Sequence, residues 1–170
     1  YNVGDTKTIT IASHINECVS ATDTDNSEYK GEDYQCESGE EAEKQMVVRI
    51  SNMSACTNGE TSETACGFVV EFVDIIENHN YNSADAINED GTNKGGWRDS
   101  ELRKYINETI YNALPSDLQN VITTTKVISS HGTTEGETNF ETQDKLYLLS
   151  AHEVYEDGTS NQVSTYETSY

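Results

Sequence analysis

The sequence predicts an α+β fold, in which a twisted antiparallel sheet packs against one main helix and several short helical turns. Three observations lead to this fold class. Apolar residues alternate in strand-like segments in the first half of the chain, one amphipathic helical stretch begins near residue 100, and strand-like segments follow it. With 170 residues, the chain has the length of one domain.

Three strands are predicted before the helix. Residues 8–11 alternate polar and apolar side chains, and residues 46–50 and 67–73 each place apolar side chains on one face. The Asn58-Gly59 pair between the second and third strands is a strong turn signal. These two strands are therefore predicted to form an antiparallel hairpin.

The main helix is predicted to begin at Asp99 or Ser100, which are favourable N-cap residues, and to end before Pro115. Ser116 is predicted to cap a shorter turn, and two strands should follow around residues 127–128 and 146–149. The apolar face of the helix has helical spacing and comprises Leu102, Tyr105, Ile106, Ile110 and Ala113. We expect the core to join this face to Phe68, Val70, Phe72, Leu146 and Leu148, with Trp97 at the start of the helix.

The charge and hydropathy of the chain limit the kinds of molecule that it is expected to bind. The chain has 31 acidic and 10 basic residues, a formal net charge of −21 and a mean hydropathy of −0.72. A negative field of this size repels nucleic acid and anionic lipid. It suits solubility, weak divalent-cation binding or an electropositive protein, and dispersal of an extracellular protein is the favoured interpretation. No segment approaches the ~20 apolar residues that span a bilayer, so no membrane insertion is expected. The sequence opens without Met or an apolar run, as a processed start or an excised piece would.

Four cysteines lie among polar residues in the first 66 positions, at Cys18, Cys36, Cys56 and Cys66. Three pairings are possible, and we favour Cys18–Cys36 with Cys56–Cys66 because these close local loops. An even number of cysteines in such a setting is typical of an extracellular, disulfide-stapled module.

The sequence does not predict an enzyme. It has no nucleophile motif, no zinc-binding helix motif and no phosphate-binding glycine loop. No cofactor is expected apart from weak calcium, for which two oxygen-rich loops are candidates, although an ordinary solvated loop is the favoured interpretation of each. Their candidate ligands are Asp23, Asp25, Glu28, Asn88, Asp90 and Asn93. The triplets at Asn52 and Asn107 match the glycosylation pattern and are interpreted as accidental.

Residues 65–170 resemble an uncharacterised family of bacterial surface domains, found in Firmicutes and other gut or oral bacteria and in phage tail proteins. The resemblance is carried by segments at 65–76, 95–97, 100–107, 110–118, 130–132, 142–150 and 152–154. It implies a C-type-lectin-like fold of the kind shared with formylglycine-generating enzymes. Family members usually continue into a Trp-Leu-Arg-Ser segment that is not found here. Either the continuation is disordered, cleaved or supplied separately, or this is a shortened version with an incomplete sheet. No sugar-binding or catalytic residue of those relatives has a counterpart in this sequence.

Residues 1–170 are thus expected to form one extracellular domain on a bacterial cell surface. It would comprise a cysteine-containing front (1–66), a family core (67–156) and a polar tail (157–170). The predicted function is a non-catalytic recognition or adhesion module that binds a protein or glycan ligand outside the cell. The alternative is a structural subunit of an extracellular filament, pilus or phage tail, in which the partners are copies of the chain itself.

Overall fold

A computed structural model of the chain describes residues 1–17, 38–55, 67–79, 81, 95–129 and 138–149. Within these ranges, three small antiparallel sheets combine with short helices, which confirms the α+β class. The strands are β1 (Thr6–Ile11), β2 (His14–Asn16), β3 (Gly39–Glu41), β4 (Lys44–Asn52), β5 (Val69–Phe72), β6 (Thr125–Ser129) and β7 (Phe140–Asp144). The helices are α1 (Gly96–Asp99), α2 (Glu101–Tyr105), a π-helical segment (Ile106–Ile110), α3 (Tyr111–Ala113) and α4 (Ser116–Gln119).

The main sheet has the strand order β1-β4-β5, with β4 in the centre. Both pairs are antiparallel, so the predicted hairpin of β4 and β5 is confirmed. Along β4, Met46, Val48 and Ile50 are buried while the residues between them are more exposed, which is the two-residue period of a half-buried strand. A register shift between Ile50 and Asn52 marks a bulge near the hairpin end of the strand.

Two two-stranded sheets complete the β structure. β2 pairs with β3, and β6 pairs with β7. The strand predicted at residues 146–149 is wrong, because β7 ends at Asp144. Beyond that point, the N–H groups of Lys145 and Leu146 donate to Asn107 Oδ1 at 2.9 and 3.1 Å, so a helix side chain replaces a strand partner.

The main helix runs continuously over residues 101–113 as α2, the π-helical segment and α3. Ser100 is its N-cap, as predicted, and its hydroxyl accepts from the Arg103 N–H at 3.1 Å. Helix α4 follows Pro115, which occupies the N-cap position that the sequence assigned to Ser116. Proline is suited to the start of a helix because its fixed φ is preformed and its missing N–H is not needed there.

The hydrophobic core lies between one face of the main sheet and the end of the main helix. It is formed by Ile9 and Ile11 of β1, Met46 and Val48 of β4, and the Ala113-Leu114 pair. Phe72 and Leu146 pack against this core, as expected.

Part of the predicted core is wrong. Phe68, Val70 and Leu148 are exposed, and strand β1 supplies the apolar side chains that they were expected to provide. The reason is the position of the helix: the core cluster includes side chains of β1 and β4 up to Val48, but not the hairpin end of the sheet. Trp97 is buried at the start of the helices, as predicted.

Candidate functional site

A buried carboxylate, Glu77, lies where four separate segments of the chain meet. His14 comes from β2, Lys44 begins β4, Glu77 follows β5, and Tyr105 ends α2. We call these four residues the Glu77 centre. The side chains of Glu77 and His14 are only 7% and 6% exposed.

Three donors surround the Glu77 carboxylate. The Tyr105 hydroxyl donates to Oε1 in a short hydrogen bond, and His14 Nε2 lies 2.9 Å from Oε2. Lys44 Nζ approaches Oε2 at 3.4 Å and also donates to the Ile76 carbonyl at 2.6 Å. Both carboxylate oxygens are therefore occupied, as a buried charge requires.

The electrostatics of the centre favour an ionised Glu77 beside a neutral Tyr105. Burial alone would raise the pKa of Glu77, but the hydrogen bonds from Tyr105 and His14, together with the charges of His14 and Lys44, hold it below the ordinary value. Burial and the negative charge of Glu77 both raise the pKa of Tyr105 far above its ordinary value. The phenol therefore remains a hydrogen-bond donor throughout the physiological range.

The second nitrogen of His14 also faces an oxygen, because Nδ1 lies 2.9 Å from the Ala12 carbonyl. A carbonyl and an ionised carboxylate only accept hydrogen bonds, so both ring nitrogens of His14 face acceptors. On the other side of the centre, the His79 ring stacks on Tyr105 with centroids 4.0 Å apart. The arrangement works as a polar crosslink between β2, β4, the segment after β5 and the main helix.

A second buried carboxylate, Asp144, joins β7 to the helices. Trp97 Nε1 and the Thr142 hydroxyl donate to Oδ2 at 2.9 and 2.6 Å, and Arg103 Nε donates to Oδ1 at 2.7 Å. Asp144 is only 2% exposed. Both oxygens of this carboxylate, like those of Glu77, are bound by donors that connect elements of the fold.

Asn107 closes the same interface from within the π-helical segment. Its amide nitrogen donates to the Arg103 and Leu146 carbonyls at 3.1 and 2.9 Å, and its oxygen accepts from the backbone after β7. A π turn widens the helix by one residue, and such turns often aim a side chain at a specific partner. Both N–H groups of the amide are therefore engaged in the folded chain.

An exposed apolar surface lies at the hairpin end of the main sheet. We call Val3, Met53, Phe68 and Val70 the sheet-end patch. Phe68 is 58% exposed and contacts the Tyr1 ring edge to face, at a centroid distance of 6.2 Å. The other three side chains are also exposed.

The backbone brings these four residues together. Val70 pairs with Ile50 across the hairpin. The Gly67 N–H donates to the Ser54 carbonyl at 2.5 Å, so the backbone segments that carry Phe68 and Met53 run next to each other. The Gly4 N–H donates to the Ile50 carbonyl at 2.8 Å, which brings Val3 to the same end of the sheet.

The disulfide and calcium sites predicted from the sequence cannot be compared with the described residues. The predicted disulfide cysteines and all six candidate calcium ligands lie outside the described residues. Within the part of the chain that the structure describes, no group of three or more His, Cys, Asp or Glu side chains is arranged to hold a metal ion.

The Glu77 centre and the Asp144 centre were not predicted. No local signal marks Glu77, because His14 is 63 residues away from it and Tyr105 is 28 residues away. Trp97 was predicted to anchor the helix start, but its bond to Asp144 spans 47 residues and has no signature in the sequence.

Comparison with known proteins gives a family but no characterised relative. No curated protein matches the chain, and no solved structure matches it. None of the helices among the described residues is long and apolar enough to cross a membrane. Residues 73–169 match the family described as "Domain of unknown function (DUF6273)". The match contains Glu77, Trp97, Tyr105 and Asp144, whereas strands β1 to β5 precede it. Because the match covers more than half of its length, the chain belongs to the DUF6273 family.

Proposed function

We propose that the chain is a non-catalytic recognition or adhesion module that acts outside a bacterial cell and contacts its ligand through the sheet-end patch. The observation that carries the proposal is the exposure of Phe68 together with its three apolar neighbours. Contiguous exposed apolar side chains, an aromatic one among them, are characteristic of protein interaction sites.

The state of the buried carboxylates supports a non-catalytic role. A general acid or base needs an oxygen that can reach the substrate. In Glu77 and Asp144, each carboxylate is held by three donors from the protein itself. Both groups therefore contribute to the rigidity of the scaffold that presents the patch.

An extracellular location is part of the proposal, and the backbone around the cysteines supports it. Asn16 pairs with Gly39, so the chain segments that lead to Cys18 and from Cys36 lie side by side. The hydrogen bond between Ser54 and Gly67 likewise holds the segments next to Cys56 and Cys66 side by side. Both arrangements favour the local disulfides predicted from the sequence, and such staples suit an oxidising environment.

We also propose that the described elements belong to a C-type-lectin-like fold stapled by these two disulfides. The antiparallel main sheet with helices packed on one face supports this arrangement. A protein or a glycan on another cell would be the ligand of such a module.

The test is binding of the fluorescently labelled chain to intact bacterial and mammalian cells. We expect saturable binding that Phe68→Ser weakens about tenfold, since loss of an interface aromatic commonly costs more than 1 kcal/mol. Val121→Ser is the matched control, because Val121 is also exposed but lies beyond α4. Equal binding by both variants would remove the patch from the proposal, and absence of binding to every cell type would contradict the recognition function.

The second candidate is a structural subunit of an extracellular filament, pilus or phage tail. The observation in its favour is that β5 is an outer strand of the main sheet, which a neighbouring copy could extend. The net charge of −21 opposes close packing of identical chains. Sedimentation and negative-stain microscopy separate the two functions: a stable monomer at high protein concentration contradicts the filament.

A further inference from the structure

The outer edge of β5 presents backbone groups that its pairing with β4 leaves unused. The Val73 N–H donates to the Val47 carbonyl, so this pair and the Arg49–Glu71 pair exchange hydrogen bonds across the hairpin. The backbone groups of Val70 and Phe72, which alternate with them, must then point away from β4. Within the described residues, no strand pairs with this side of β5.

The side chains beside this edge are mostly apolar. Val70 and Phe72 are two residues apart in β5 and face the same side of the sheet, and the exposed Phe68 immediately precedes the strand. On the opposite side, Glu71 is bound by Arg49, whose Nε donates to Oε1 at 2.9 Å. Natural edge strands are usually protected by unpaired charges or prolines, and neither occurs within β5. The edge therefore has the properties of a template for strand addition.

We propose that β5 binds an extended segment of a partner protein in which apolar residues alternate with Lys or Arg. This inference rests on the proposed recognition function and specifies how the sheet-end patch is used. Backbone hydrogen bonds to Val70 and Phe72 supply the pairing, and the apolar side chains of the segment pack against Phe68 and Val70.

The negative net charge of the chain favours a partner segment that carries positive charges. At a net charge of −21, the field attracts a cationic segment and accelerates its encounter. A second copy of the chain is disfavoured on the same ground.

The probe is a fluorescent synthetic peptide of alternating Val and Lys, and its binding to the full chain is followed by fluorescence anisotropy. One control peptide carries Glu in place of Lys. A second control keeps the Val/Lys sequence but is N-methylated at alternate residues, so that it cannot donate the pairing hydrogen bonds. We expect the Val/Lys peptide to bind, binding to weaken as sodium chloride is added, and both control peptides to bind at least about tenfold more weakly.

Variants of the chain locate the binding. Val70→Pro removes an N–H that points away from β4, so it blocks strand addition while leaving the hairpin bonds in place. Phe68→Ser removes only a side-chain contact and tests the same site if the proline variant does not fold. Each should weaken peptide binding about tenfold, whereas the control Val121→Ser should leave it unchanged.

Several results would overturn the proposal. Equal binding of the N-methylated peptide would exclude strand pairing, and equal binding of the Glu peptide would exclude charge selection. If the Val/Lys peptide fails to bind, the edge of β5 does not bind an extended basic segment. The same conclusion follows if the chain self-associates and Val70→Pro abolishes this self-association. If the peptide does not bind while Phe68→Ser still weakens binding to cells, the recognition function stands and only the strand-addition mode is wrong.

Discussion

Replacing Glu77 by Gln tests whether the Glu77 centre stabilises the fold. The substitution preserves the size of the side chain and one acceptor oxygen, but it removes the negative charge. In Glu77, one carboxylate oxygen contacts Tyr105 and the other contacts His14. A Gln side chain has only one acceptor oxygen, so it would turn its NH₂ group towards one of these two partners. We therefore expect Glu77→Gln to destabilise the protein.

The magnitude follows from the contacts. Loss of one charge-assisted hydrogen bond in a buried setting costs about 1.5–3 kcal/mol. Lys44 is a quarter exposed and lies 3.4 Å from the carboxylate, so its ion pair adds no more than about 1 kcal/mol. The free energy of unfolding should fall by about 2–4 kcal/mol, a large part of the ~5–15 kcal/mol that stabilises most domains. Glu77→Ala should cost more, because it leaves Tyr105, His14 and Lys44 without the acceptor that they share.

The assay is denaturant unfolding followed by the fluorescence of Trp97, the only tryptophan in the chain. Trp97 is buried and bound to Asp144, so its emission reports on packing between the helices and β7. Glu108→Gln is the matched control, since Glu108 lies exposed on the same helix. It should change the free energy of unfolding by no more than about 0.5 kcal/mol.

The pH dependence of the difference has a defined sign. The pKa of Glu77 in the folded protein lies below its ordinary value of 4.5, so the stabilisation is present above that pH. It is lost as the pH falls through the folded-state pKa, where the carboxylate protonates. The free-energy difference between wild type and Glu77→Gln should thus be present at neutral pH and shrink below 4.5. Equal stability of the two proteins at pH 7, or a difference that does not shrink in acid, would refute the reasoning.

Four further outcomes are expected. Asp144→Asn should lower the free energy of unfolding by about 3 kcal/mol and alter Trp97 emission, whereas the exposed control Asp74→Asn should do neither. Gly95→Ala should cost about 1–3 kcal/mol in the same melts, because its φ is +88° and a Cβ would clash with the Asp99 side chain. Gly39→Ala, whose Cβ would meet open space, should be tolerated. Non-reducing peptide mapping should find the two local disulfides Cys18–Cys36 and Cys56–Cys66. Four free thiols or any crossed pairing would contradict this prediction. Millimolar calcium should raise the melting temperature modestly and more than magnesium does, and equal effects of calcium, magnesium and matched sodium chloride would indicate charge screening alone.

Local patterns predicted the elements well where burial has a simple period. The alternation in residues 46–50 identified β4, and the Asn58-Gly59 turn signal identified its pairing with β5. Ser100 was one of two predicted N-cap candidates, with Asp99, because capping involves only the next three residues.

Prediction failed where a distant group decided the outcome. The apolar run at 146–149 has the composition of a strand, but Asn107 takes the N–H groups of Lys145 and Leu146. Phe68 and Val70 have the pattern of core residues, but the helix does not reach the hairpin end of the sheet. Periodicity shows which side chains share a face, and it does not show which part of that face another element covers.

The sequence by itself determined the α+β class, the β4–β5 hairpin, the start of the main helix and the strongly negative charge, because each depends on composition or on neighbours a few residues apart. Only the tertiary structure decided that Glu77 meets His14, Lys44 and Tyr105, and that an apolar patch stays exposed beside β5. The physical reason is separation along the chain: these contacts join residues up to 63 positions apart, and no local pattern encodes which distant donors will reach a buried carboxylate.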